Sequence, residues 1–184
     1  MKLELPLTDE KVAKLHAGDA VELTGVMYVA RDTAHKKIIE TLDRDEKPPI
    51  DLKGSTIYFM GPSPARPGQP IGSAGPTTSG RMDSYSIRLI EEGHKGMIGK
   101  GPRNQAVRDA IRKYKGVYFA AIGGAGALIS GAIKKSEVVA YPELGAEALR
   151  RIEVEDFPVV VINDMYGGDL YSTAKEKYRT YSKE

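Results

Sequence analysis

Three short apolar runs constrain this chain more than any other feature: Thr56-Ile-Tyr-Phe-Met60, Gly96-Met-Ile-Gly99 and Gly116-Val-Tyr-Phe-Ala-Ala-Ile122. Each is short, and glycine stands close to both ends, so each reads as a buried strand. Helix-patterned segments stand between them. Arg81 to Glu92 reads as a helix with Ser79 as its cap. Asn104 to Tyr114 reads as another, with Ala106, Val107, Ala110 and Ile111 turned inward. Strands alternating with helices predict an α/β fold with mixed strand pairing.

The flanking segments fit the same pattern. Thr8 before Asp9 and Glu10 reads as the cap and first turn of a short helix, which Gly18-Asp19 ends. Val21 to Val29 reads as a strand or hairpin, with Gly25 as a bulge or turn. Asp32 or Thr33 is placed to cap a helix running to about Leu42. After the Gly123-Gly-Ala-Gly126 turn come a small-residue helical segment to about Ile133 and a strand from Glu137 to Ala140. A helical turn from Glu143 to Ala148 and strands at Ile152–Glu155 and Val159–Ile162 follow, then a turn at Asp164 to Gly168. A single domain is expected over residues 1–172, with residues 173–184 as a polar, basic tail.

Composition removes several chemistries. The chain has no cysteine, so it carries no disulfide, no thiolate nucleophile and no cysteine ligand for zinc or an iron–sulfur cluster. No apolar run approaches the roughly 18 residues of a membrane span. The charged N-terminus lacks the apolar core of a signal peptide, so a cytoplasmic location is expected. Charge is unevenly spread. Leu52 to Arg108 holds eight bases against three acids, whereas Glu137 to Asp169 holds two bases against eight acids. A basic middle suits an anionic partner or substrate; an uneven surface explains it equally well.

Gly61 to Gly80 reads GPSPARPGQPIGSAGPTTSG. Ten of its twenty residues are glycine or proline, and none is acidic. Proline stiffens a chain and glycine opens positive φ, so this mixture suits a fixed, convoluted path rather than a flexible linker.

Two nucleotide-binding patterns fail in detail. After Gly124-Ala-Gly126 the third small residue is replaced by Ile129. Around Gly99-Lys-Gly101 a phosphate loop would need glycine where His94 stands and a hydroxyl where Gly101 stands. His16, His35 and His94 show no metal-ligand spacing. His35 follows Arg31 by four residues, so on a helix the two share a side, which allows a shared site or an ordinary solvated face. What remains is cationic and hydroxyl-rich: Thr77, Thr78 and Ser79 precede Arg81 at an expected helix start, and Lys100 sits on a glycine turn. Helix N-termini, arginine forks and lysine ammoniums all hold carboxylates. Simple capping and a surface arginine are the alternatives.

The order of motifs is more specific than any one of them. Ala30-Arg31-Asp32-Thr33-Ala34-His35, Gly61-Pro-Ser-Pro64, Gly75-Pro-Thr-Thr-Ser-Gly-Arg-Met-Asp83, Gly99-Lys-Gly101, Gly123-Gly-Ala-Gly126, Glu143-Leu-Gly-Ala-Glu-Ala148 and Val154-Glu-Asp-Phe-Pro158 follow one another. From about Leu5 to Tyr171 the chain resembles the β subunit, or C-terminal domain, of class I fumarate hydratases and their tartrate dehydratase relatives. The resemblance implies a swivelling, three-layer β/β/α domain. It implies a lyase that reversibly hydrates fumarate to (S)-malate with an oxygen-sensitive 4Fe-4S cluster, whose cysteines belong to a partner α subunit. Carried onto matching positions, Arg31, Arg81 and Lys100 would bind the substrate carboxylates, and Thr77 would be the base at substrate C3. No metal ligand is implied on this chain. A tartrate dehydratase β subunit is one alternative; a non-catalytic, anion-binding scaffold domain is the other.

Overall fold

In a computed structural model covering residues 1–121 and 126–177, the apolar runs form β3 (Thr56–Tyr58), β4 (Gly96–Gly99) and β5 (Val117–Ala120). They lie parallel and side by side, and nearly every residue in them is buried. β2 (Ala20–Val29) runs parallel to β3 through Tyr28 and Val29, and β1 (Lys2–Glu4) runs parallel to the start of β2. The long strand β7 (Leu149–Asn163) is antiparallel to both β5 and β2. β6 (Ile133–Ala140) pairs antiparallel with β7 at the outer edge. The seven-stranded sheet therefore closes on itself: β2, β3, β4, β5 and β7 each pair with the next, and β7 returns to β2.

Period-two alternation sorts the side chains of this wall between two cores. Tyr58, Met60, Ile98, Val117 and Phe119 join Leu23, Met27, Val154, Phe157 and Val161 inside the closed circuit. Ile57, Phe59, Met97 and Tyr118 face outward onto the helices α2 (Asp32–Asp43), α3 (Asp83–Glu91) and α4 (Gln105–Tyr114), which contribute Ile38, Leu89, Ile90, Val107 and Ile111. Two β layers and a helical layer make the three-layer architecture. The remaining helices are short: α1 (Asp9–Val12), α5 (Gly126–Gly131) and α6 (Leu170–Lys177).

Local sequence chemistry explains several boundaries. Thr8 and Asn104 cap α1 and α4, accepting from the backbone N–H of Lys11 and Val107. Gly25 sits at a break in the β2–β7 register with φ 126°, and a Cβ there would press on the Leu5 backbone.

Other boundaries differ from expectation. Arg31 occupies the cap position of α2, and its guanidinium, which only donates, makes no side-chain cap bond; Asp32 and Thr33, expected as caps, lie inside the helix and bond to distant partners. The helix expected from Arg81 begins as a 3-10 turn (Ser79–Met82), and Ser79 is buried against Tyr118 rather than capping. The two strands expected around Val154 and Val161 are one strand, carried through Asp156 at φ 50°. β6 begins four residues earlier than expected, and β1 has no apolar run to announce it. The Gly123–Ala125 part of the glycine turn and residues 178–184 of the tail lie outside the described residues.

Candidate active site

Parallel strands release their chains at one side of the sheet, and in α/β folds, open or closed, ligands gather at those carboxyl ends. β2 ends at Val29 and delivers Arg31 and Asp32 to the start of α2. β3 runs out through Phe59, whose carbonyl accepts the Thr77 N–H at 2.7 Å. β4 ends at Gly99 and delivers Lys100. The Lys100 N–H donates to the Thr77 carbonyl at 3.2 Å, and the Ser79 N–H donates to the Lys100 carbonyl at 2.8 Å. This ladder seats residues 77–79 against the tip of β4. Gly99 permits it: a Cβ there would collide with Ser79 Oγ and lie 3.0 Å from the Phe59 ring.

Arg81 points back across this edge. Its Nε donates to Asp32 Oδ1 at 3.2 Å and its Nη2 to Asp32 Oδ2 at 2.8 Å, a two-pronged contact. Arg31 pairs with Glu147 at 3.3 Å, and the same carboxylate accepts from Thr33 Oγ1 at 2.8 Å. Gly61 leaves room for Arg31, since a Cβ there would lie 2.6 Å from Nη1. Lys100 is exposed, and its ammonium has no partner among the described residues. Arg31, Thr77, Arg81 and Lys100 thus reach one edge of the sheet, through α2, the 3-10 turn and the β4 tip.

The edge is open on this chain. A cavity of about 330 Å³ begins just beyond Gly61, lined by Pro62, Ser63, Pro64, Pro70, Ile71 and Arg150 among others, and includes none of the four. The glycine- and proline-rich stretch is tied to itself: the Ser63 N–H donates to the Ser73 carbonyl, and the Ser73 N–H to Ser63 Oγ at 2.8 Å.

Beneath the edge lies a buried polar frame that spacing did not reveal. Arg103 is 4% exposed. It donates to Asp83 at 2.6 Å and to Ser86 at 2.5 Å, with the Phe59 and Tyr118 rings 5.4 and 5.1 Å from its guanidinium carbon. The second Asp83 oxygen accepts the Asn104 N–H. Removing one partner of such a pair strands a buried charge, at a cost of about 3–5 kcal/mol. The Tyr118 hydroxyl donates to the Gly101 carbonyl at 2.7 Å and lies 2.9 Å from Ser79 Oγ, joining the turns that carry Lys100 and Arg81. Asp83 was visible as the last residue of the Gly-Arg-Met-Asp motif; nothing local linked it to Arg103.

His35 is fully buried, so it and Arg31 do not share a solvent-facing site. Its Nδ1 lies 2.8 Å from the Arg31 carbonyl, which can only accept, so Nδ1 carries the proton. Burial pushes its pKa down to about 4, and that of the buried His94 down to about 3. Both rings are neutral near pH 7.

Architecture and edge together define a three-layer α/β domain that collects cations and hydroxyls at the carboxyl ends of parallel strands. The family model described as Fumarase C-terminus matches residues 1–174, and the chain belongs to that family. It is 45% identical over 161 residues to an anaerobic class I fumarate hydratase of Escherichia coli, covering 85% of this chain and 29% of that protein. It is 42% identical over 173 residues to an aerobic class I enzyme of Salmonella typhimurium, covering 92% of this chain and 30% of that protein. A protein of Methanocaldococcus jannaschii assigned as an L(+)-tartrate dehydratase subunit beta is 38% identical over 177 residues, covering 93% of this chain and 91% of the relative. The chain therefore spans about 30% of the length of the fumarate hydratases it matches, and nearly all of the tartrate dehydratase subunit.

Proposed function

We propose that this chain is the β subunit of a two-subunit class I fumarate hydratase that interconverts fumarate and (S)-malate in the cytoplasm. The observation that carries the reading is the topology: β2, β3 and β4 end at the same side of the sheet, and Arg31, Thr77, Arg81 and Lys100, all on motifs of that family, stand on the segments that follow them or are bonded to their tips. The near full-length match to a separate β subunit supports a partner α chain.

In this reading the two arginines and Lys100 hold the substrate carboxylates by charge-assisted hydrogen bonds. Thr77 takes the proton from C3 of malate. Its removal builds negative charge onto the adjacent carboxylate, and cations already in place stabilise that charge as it develops. A threonine hydroxyl is a weak base, so its alkoxide depends on a neighbouring cation, and Lys100, whose backbone is bonded to that of Thr77, is the candidate for that role.

An iron–sulfur cluster does not fit the donors of this chain. The sequence has no cysteine, and among the described residues no three His, Asp or Glu gather as a metal-binding group. The cluster therefore belongs, in this reading, to the α subunit. A second reading, a tartrate dehydratase β subunit, is favoured by the M. jannaschii relative.

Anaerobic co-expression with the α partner, followed by assays on fumarate, malate and tartrate, tests both. Turnover of fumarate and malate supports the first reading. Turnover of tartrate alone supports the second, and none on any of the three removes both.

A further inference from the structure

We propose that Asp32 is the positioning residue for Arg81, fixing which edge of the guanidinium meets the substrate. The inference rests on the reading of Arg81 as a substrate-carboxylate ligand and adds a residue to it.

A guanidinium offers two forks, one from Nε and Nη2 and one from Nη1 and Nη2. Asp32 occupies the first, at 3.2 and 2.8 Å. Among the described residues nothing takes the two Nη1 hydrogens or the outer Nη2 hydrogen, which leaves them to an incoming carboxylate. Asp32 is well placed to act as the fixed member of the pair. It stands in the first turn of α2, where the helix dipole favours a carboxylate. That helix is anchored in the core by Ala34, Ile38 and Leu42. Arg81, by contrast, has a long side chain that is 53% exposed and, among the described residues, held at its head by Asp32 alone.

Arg81 is exposed and Asp32 half-buried, so solvent screens the pair and its contribution to folding is small. Its charge also offsets part of the attraction Arg81 exerts on an anion. Orientation is what the contact supplies, and orientation affects turnover more than capture.

The test uses the assembled, cluster-loaded enzyme. Asp32→Asn is expected to lower kcat about tenfold while KM moves less than about threefold, because the uncompensated Arg81 still attracts the anion but presents it poorly. Asp32→Ser removes the carboxylate in a residue that helix starts accept, and should behave alike. Placed on Arg81→Lys, Asp32→Asn should add nothing, since it acts through the lost fork. An unchanged kcat, a lowered KM at full kcat, or additive losses in the double variant would overturn the proposal while leaving Arg81 in the site. An Arg81→Lys enzyme with wild-type kinetics would overturn the reading of the site, and Asp32's role with it.

Discussion

Arg81 and Arg88 stand seven residues apart and differ in what meets them. Arg88 pairs along the surface of α3 with Glu92, one turn away, whereas Arg81 reaches Asp32 on another element. Lysine keeps the charge but loses the planar fork. Arg81→Lys should lower kcat/KM of the assembled enzyme by about 100-fold, roughly 3 kcal/mol of transition-state stabilisation. Arg88→Lys should stay within about 1 kcal/mol of wild type. Anaerobic kinetics at equal cluster content decides, and equal rates for both variants would take Arg81 out of the site. The buried histidines make a separate expectation. Their native pKa values, about 4 and about 3, lie below the ordinary 6.5, so the unfolded chain binds protons that the native state refuses. Stability therefore falls as pH drops through 6.5 towards 4, by up to about 1.4 kcal/mol per pH unit for each ring. Urea midpoints at pH 7.5, 6 and 5 should decline in that order; a flat series would mean that these rings are protonated, or free to be, in the native chain.

Among the elements, the crossing of residues 77–79 over the tip of β4 depends on a missing side chain. Gly99→Ala would drive its methyl into Ser79 Oγ and to 3.2 Å from the Thr77 carbonyl. Both neighbours are held by the bridge to Lys100, so the strain is not easily relieved, and about 1–3 kcal/mol of destabilisation is expected. Gly80→Ala is the comparison. No positive φ is needed there, and the nearest contact of a Cβ is the Pro102 carbonyl at 3.8 Å, so its effect should stay within about 0.5 kcal/mol. Thermal melts of the two variants separate them, and equal melting temperatures would mean that the crossing can yield. The sequence marked Gly99-Lys-Gly101 as a tight turn. It did not mark what crosses it, because a glycine reports its own backbone freedom and not the side chain that occupies its space.

At the scale of the molecule, the candidate residues lie on an open edge, with Arg81 and Lys100 exposed. Charge development in a hydration reaction is best stabilised where water is excluded. A covering partner is therefore expected, and the co-expressed α and β chains should elute from gel filtration as one complex with hydratase activity. Two resolved peaks at micromolar concentration, or full activity from this chain alone, would count against that assembly. Local pattern by itself determined much of this protein: the buried strands β3, β4 and β5, the Val107, Ala110 and Ile111 face of α4, the cap of α1, and the run of motifs that marks the family. These are properties of contiguous residues, written in burial, propensity and turn chemistry. Ala106, expected to turn inward with that face of α4, is exposed in the first turn of the helix, where no element of the described residues covers it. Tertiary structure alone decided that β7 is one strand closing the sheet onto β2. It also decided that Arg81 meets Asp32 across 49 residues and that Arg103 meets Asp83 across 20. An apolar face records that a segment is covered, and a charge records that it needs water or a partner. Which segment does the covering depends on register and packing among elements far apart in the chain.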